Sequence, residues 1–204
     1  ASIVLTFQAV GALAAMVFQL VKGYTRLEPL LYVKGVLVDS SFFLLIAVLA
    51  IVLQAITNSK FLGYLVMIVY MVSRTVLSIL SFDHVLYRYG STPDIPYSDM
   101  NGYGHFVPGY LWLNLYWALF AVFLFALGLL FKVRGTESQW KIRWRLARER
   151  FRGPLAATVV ASLLGFIAVG GWIFYNTNVR NQYLSSDAQK DRQADYEKRY
   201  RKYK

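Results

Sequence analysis

The sequence has no cysteine, only two histidines, and 11 acidic residues against 22 basic ones in 204 residues. The missing cysteines exclude a disulfide framework and thiolate metal sites, and they leave the redox compartment open. Charge is scarce as well. Charged residues make up 16% of the chain and hydrophobic ones 57%, whereas an ordinary soluble domain carries about a quarter charged residues. No H-E-x-x-H, G-x-x-x-x-G-K-[ST] or G-x-S-x-G motif occurs, so zinc peptidase, phosphate-loop and nucleophile-elbow chemistry have no carrier in these residues. There is also no secretory signal pattern. The chain opens without Met inside an apolar run, ASIVLTF, which reads as part of a longer polypeptide.

What the sequence does hold is long apolar runs. A span needs about 20 predominantly apolar residues to cross roughly 30 Å of hydrocarbon. Five stretches qualify: residues 3–21, about 36–56, 61–82, 111–131, and 154 to about 175. The fold expected is all-α, a polytopic transmembrane bundle of about five spans with amphipathic surface helices. Residues 1–175 form the bundle and 176–204 a charged helical linker. With a net charge of +11, a soluble protein would suggest nucleic acid. Here the basic residues fall between spans and in the tail, where lipid headgroups and topology account for them.

Within the first span, Gly11 and Ala15 give a small-xxx-small spacing, compatible with close helix approach or with a plain lipid face. Residues 22–35, KGYTRLEPLLYVKG, read as a short surface helix between the first two spans. The turn at 57–60 is too short for anything but an antiparallel hairpin. Two charges fall within the apolar runs, Asp39 near the start of the second and Arg74 well inside the third. An intramembrane Arg costs on the order of 3 kcal/mol, so Arg74 is expected to face a polar partner, with Asp39 and Asp83 as candidates, or to snorkel to a headgroup.

Residues 83–110 are rich in Pro, Gly and Tyr and read as a folded loop whose aromatics suit the membrane boundary. Asp83, His84, Asp99 and His105 have no spacing that matches a compact metal site. Residues 132–152, KVRGTESQWKIRWRLARERFR, are strongly basic. Trp140, Trp144, Ala147 and Phe151 recur there at helical spacing, while Arg143, Arg148 and the other cations take most of the remaining surface. The pattern describes an amphipathic helix lying on an anionic membrane face or docking on a partner subunit. Gly165, Gly170 and Gly171 suggest close packing of the fifth span. In the tail, Ser186 with Gln189 reads as a capping box, and Tyr196, Tyr200 and Tyr203 line one side of a charged helix.

The strings YGSTPDIPYSDMNGYGHF, LWLNLYW, RGTES and GGWIFYNTNV resemble the membrane portion of bacterial type-2 ABC permeases fused to a gluzincin aminopeptidase domain. The likeness runs from about Phe18 to the tail, whose ADYEKRYRKYK looks like the linker into the peptidase. It implies an exporter half in the bacterial plasma membrane, paired with a second permease half and with a separate subunit that binds ATP. Zinc would belong to the following domain, and no catalytic, cofactor or metal residue is assigned in this chain. By position, residues 22–35 look like the coupling helix that meets the ATPase, with Tyr24, Arg26 and Glu28 as contacts. The alternative is a membrane anchor for the peptidase that transports nothing. Three crossings separate 22–35 from 132–152, so the two lie on opposite faces. Lys and Arg favour 132–152 as the cytoplasmic one, and the coupling analogy favours the reverse.

Overall fold

A computed structural model describes residues 2–80, 82, 84–93, 95–98, 100–132, 140–181 and 183–201. Five helices are long and apolar enough to cross a membrane: α1 (Ser2–Val21), α2 (Pro29–Thr57), α3 (Lys60–Ile79), α4 (Phe106–Phe131) and α6, which begins as Gly153–Phe174 and continues through a π-helical turn, Tyr175–Arg180. Between α4 and α6 lies α5 (Trp140–Arg150), and the tail forms α7 (Ser186–Tyr200). The protein is thus an all-α bundle with five candidate membrane spans, as its composition requires.

Local chemistry sets the helix ends. Pro29 opens α2, where its fixed φ suits the first turn and its missing N–H is no loss. The helix therefore starts seven residues before the apolar run alone suggests. No separate surface helix exists at 22–35: residues 22–23 form a turn, 24–28 are irregular, and 29–35 belong to α2. At the other end, Asn58 adopts a left-handed conformation that stops α2, and the Ser59 hydroxyl accepts from the Leu62 N–H to start α3. That two-residue turn makes the expected hairpin. Gly63 permits its close crossing, since a Cβ there would lie 3.2 Å from the Gln54 Cα.

α4 is the central helix, packed against α2 and α6, while α1 and α3 rest on α2. Water cannot drive helices together inside lipid, so close fit and aromatic contact must do so. One core cluster joins Leu45, Tyr89, Leu113, Tyr116, Trp117, Ala121 and Ile173. A second, nearer α5, joins Ala126, Leu130, Ala147 and Val159. Gly165 and Gly170 bring α6 onto α4 as anticipated. A Cβ on Gly170 would meet the Tyr116 ring at 2.8 Å, whereas Gly171 faces open space.

Part of the 80–105 connection enters the bundle instead of lying at its boundary. Tyr89 is buried and donates to the Leu45 carbonyl, and its own carbonyl accepts from the Tyr70 hydroxyl. The Trp117 indole donates to the Ser91 carbonyl at 2.9 Å. Irregular backbone survives at such depth only when its polar groups are satisfied by protein, and these side chains of α3 and α4 satisfy it. The excursion adds no further long apolar helix, so the candidate spans among the described residues remain five.

α7 begins one residue earlier than the sequence suggests: Ser185 is the N-cap, accepting from the Ala188 N–H. Tyr196 and Tyr200 do share a face, with ring centroids 4.5 Å apart; Tyr203 lies outside the described residues.

Candidate functional site

The first half of α2 carries Leu31, Tyr32, Gly35, Val36 and Asp39 at spacings of three and four, which places them on one stripe just after Glu28 at the N-cap. Facing it on α1 are Gln8, Gly11, Ala12 and Gln19, again one stripe. Between the two lies an open cleft of about 600 Å³, walled further by Tyr24 and Arg26 of the connector and by Tyr97 and Tyr103 of the 80–105 segment. The tyrosine rings meet edge to face at 5.5 Å. Gly35 leaves room for the Tyr103 hydroxyl, 3.8 Å from where its Cβ would be. A second hollow of about 560 Å³ adjoins the first and shares Gln8 and Asp39 with it.

The structure thus gathers Tyr24, Arg26, Glu28 and Asp39, which the sequence assigned to two different roles, around one cleft. It also gives the small residues of α1 a use. Gly11 has nothing within 4 Å of its Cβ position, so it fronts open space instead of admitting another helix. The signal for this wall was present but unread: Gln8 and Gln19 stand three helical turns apart on one face of an otherwise apolar span.

Arg74 does not pair with Asp39. Its guanidinium lies over the Phe42 ring, 4.9 Å from the centroid. Asp39 is exposed to the cleft on the α1 side, while Arg74 projects from α3, so the two meet different surroundings. The ion pairs found among the described residues both belong to α7. Asp83 lies outside the described residues.

The basic helix α5 departs most from expectation. Arg143, which the helical pattern put among the surface cations, is 4% exposed. It donates to the carbonyls of Ile56 at 2.6 Å, Ala55 at 2.8 Å and Phe131 at 2.8 Å. These are terminal acceptors of α2 and α4, which no helical N–H can satisfy. Arg150 reinforces the arrangement by donating to Leu130 and Lys132. A delocalised, forked cation suits the negative ends of two helix dipoles better than any other side chain. Trp140 and Trp144, 55% and 53% exposed, flank Phe131 with centroids at 5.6 and 5.7 Å. Phe151 is exposed just past the helix end, and Lys141, Arg145, Arg148 and Arg152 remain exposed. The inward-facing residues of α5 are therefore Arg143 and Ala147, while Arg150 is exposed and reaches the α4 end from outside, with the aromatics beside them. Sequence reasoning missed this because helical spacing cannot tell a cation facing water from one facing carbonyls.

At the cleft end, His84 is buried against Tyr183, with centroids 4.5 Å apart, and its Nε2 is 3.0 Å from Asn178 Nδ2. Burial pushes its pKa below the ordinary value, and the Asn178 contact offsets this in part. No group of three or more possible metal ligands gathers among the described residues. Neither a family model, a curated protein nor a solved structure matches the chain.

Proposed function

We propose that the chain is the permease part of an ABC-type exporter in a bacterial plasma membrane, driven by a separate ATP-binding subunit that contacts α5. The observation that carries this reading is the tie made by Arg143. A discrete surface helix is bonded to the ends of two spans, one of which, α2, walls the polar cleft at its other end. A push on α5 then moves α2 as a rigid rod, a fitting path between an ATPase outside the bilayer and a site within it. Residues 22–28, being irregular and part of the cleft, suit that contact less well than α5.

Charge supports the same orientation. Counted over the loops between spans, Lys60, Lys132, Lys141, Arg143, Arg145, Arg148, Arg150 and Arg152 at the α5 end outnumber Lys22, Arg26, Lys34 and Arg88 at the other, which supports a cytoplasmic α5, while Arg180, Lys190, Arg192, Lys198, Arg199 and Arg201 of the tail add charge at the opposite end. The ABC assignment, the pairing with a second permease half and a zinc peptidase domain after residue 204 rest on sequence resemblance alone.

The double variant Arg145→Glu and Arg148→Glu reverses exposed charges without touching Arg143. It should abolish co-purification of the ATPase subunit while thermal unfolding in detergent stays unchanged. If the full-length protein purifies from its native membrane without any ATPase, the chain is an anchor and the exporter reading fails.

A further inference from the structure

We propose that the cleft between α1 and α2 binds an organic cation, with Asp39 as its counter-ion and tyrosine faces as its walls. The proposal names the substrate class of the permease reading and rests on that reading for transport, but not for binding.

The chain as a whole is strongly positive, yet the cleft wall holds two carboxylates, Asp39 and Glu28, against one guanidinium, Arg26. Neither carboxylate enters an ion pair found among the described residues. Glu28 precedes the first turn of α2, and Asp39 lies ten helical steps beyond Pro29, about 15 Å further along the axis. A carboxylate within an apolar run needs a partner or water, and Arg74, the partner the sequence suggests, lies over the Phe42 ring instead.

The remaining wall decides what kind of partner fits. Tyr24, Tyr32, Tyr97 and Tyr103 contribute aromatic surface, and aromatic faces attract cations whose charge is poorly hydrated. The volume lies in the range of small-molecule sites, roughly 300–1,000 Å³. An inorganic ion would need several converging ligands, and no group of three or more carboxylates or histidines gathers among the described residues. An organic anion would meet Asp39 unfavourably. The same cationic chemistry is available from a free amine or from a choline headgroup of a neighbouring lipid.

The test uses tetraphenylphosphonium and the full-length protein in nanodiscs, without ATP. One set of discs is made of digalactosyldiacylglycerol, whose headgroup is uncharged, and the other of phosphatidylcholine. Saturable binding is expected in the uncharged discs, weakened about tenfold by Asp39→Asn, a loss of roughly 1.4 kcal/mol, and retained in Asp39→Glu. Tyr103→Leu should weaken it by a smaller factor, as loss of one cation–π wall predicts. Weaker binding in phosphatidylcholine discs identifies the headgroup as a competing occupant; equal binding identifies a free cation. Absence of saturable binding in the uncharged discs overturns the site, as does binding indifferent to Asp39→Asn or equal binding of tetraphenylborate. Because ATPase co-purification is measured separately, cation binding without an ATPase defeats only the permease reading, and an ATPase without cation binding defeats only the site.

Discussion

Arg143 shows how much one side chain decides here. Its three hydrogen bonds end on carbonyls that would otherwise face a span end without partners, and bonds to a charged donor contribute more than neutral ones. Arg143→Gln should lower stability by roughly 3 kcal/mol. Arg143→Lys should recover only part of that, because a single ammonium cannot fork across α2 and α4; thermal unfolding in detergent orders the three proteins. Gly170 makes an independent prediction. Tyr116 is buried and stacked on Phe166 at 4.3 Å, so it has little freedom to yield to a new methyl group. Gly170→Ala should cost about 1–3 kcal/mol through overpacking, while Gly171→Ala, facing open space, should be neutral in the same assay.

Among elements, the 84–93 segment and the π turn of α6 are fastened together at His84 and Asn178. Burial lowers the His84 pKa, so the unfolded or detached segment binds a proton more readily than the docked one. Stability from this contact is complete above the ordinary value of 6.5 and is lost as pH falls from there toward the lowered folded value. Hydrogen exchange across 84–93 and 175–180 should therefore quicken on acidification below about pH 6.5, and His84→Asn should flatten that dependence. The helices themselves differ in legibility. The hairpin at 57–60 was plain because Asn58 and Ser59 carry their own stop and start chemistry. The connector was not, since the apolar pattern of LLYVKG fits a surface helix as well as the first turns of a span; Pro29 was the deciding residue.

For the whole molecule, the odd number of crossings puts α5 at one end of the bundle and the connector, the 80–105 segment and α7 at the other. The absence of native cysteine makes this directly testable. With α5 cytoplasmic, a cysteine at Thr25 should react with an impermeant maleimide on intact cells, and one at Arg148 should react only after permeabilisation. The reverse pattern would move the ATPase contact to the connector.

Composition and run length determined by themselves that the chain is helical, that five segments suit a bilayer, and that the basic stretch and the connector sit at opposite ends. These properties are local, because each depends on how a segment of about 20 residues partitions between water and hydrocarbon. Which faces meet was not local. The cleft exists because the Gln8 and Asp39 stripes happen to oppose each other, and α5 is anchored because Arg143 reaches carbonyls 87 and 88 residues earlier in the chain. A polar residue in an apolar run announces that it needs a partner; only the packing of the helices decides which partner it finds.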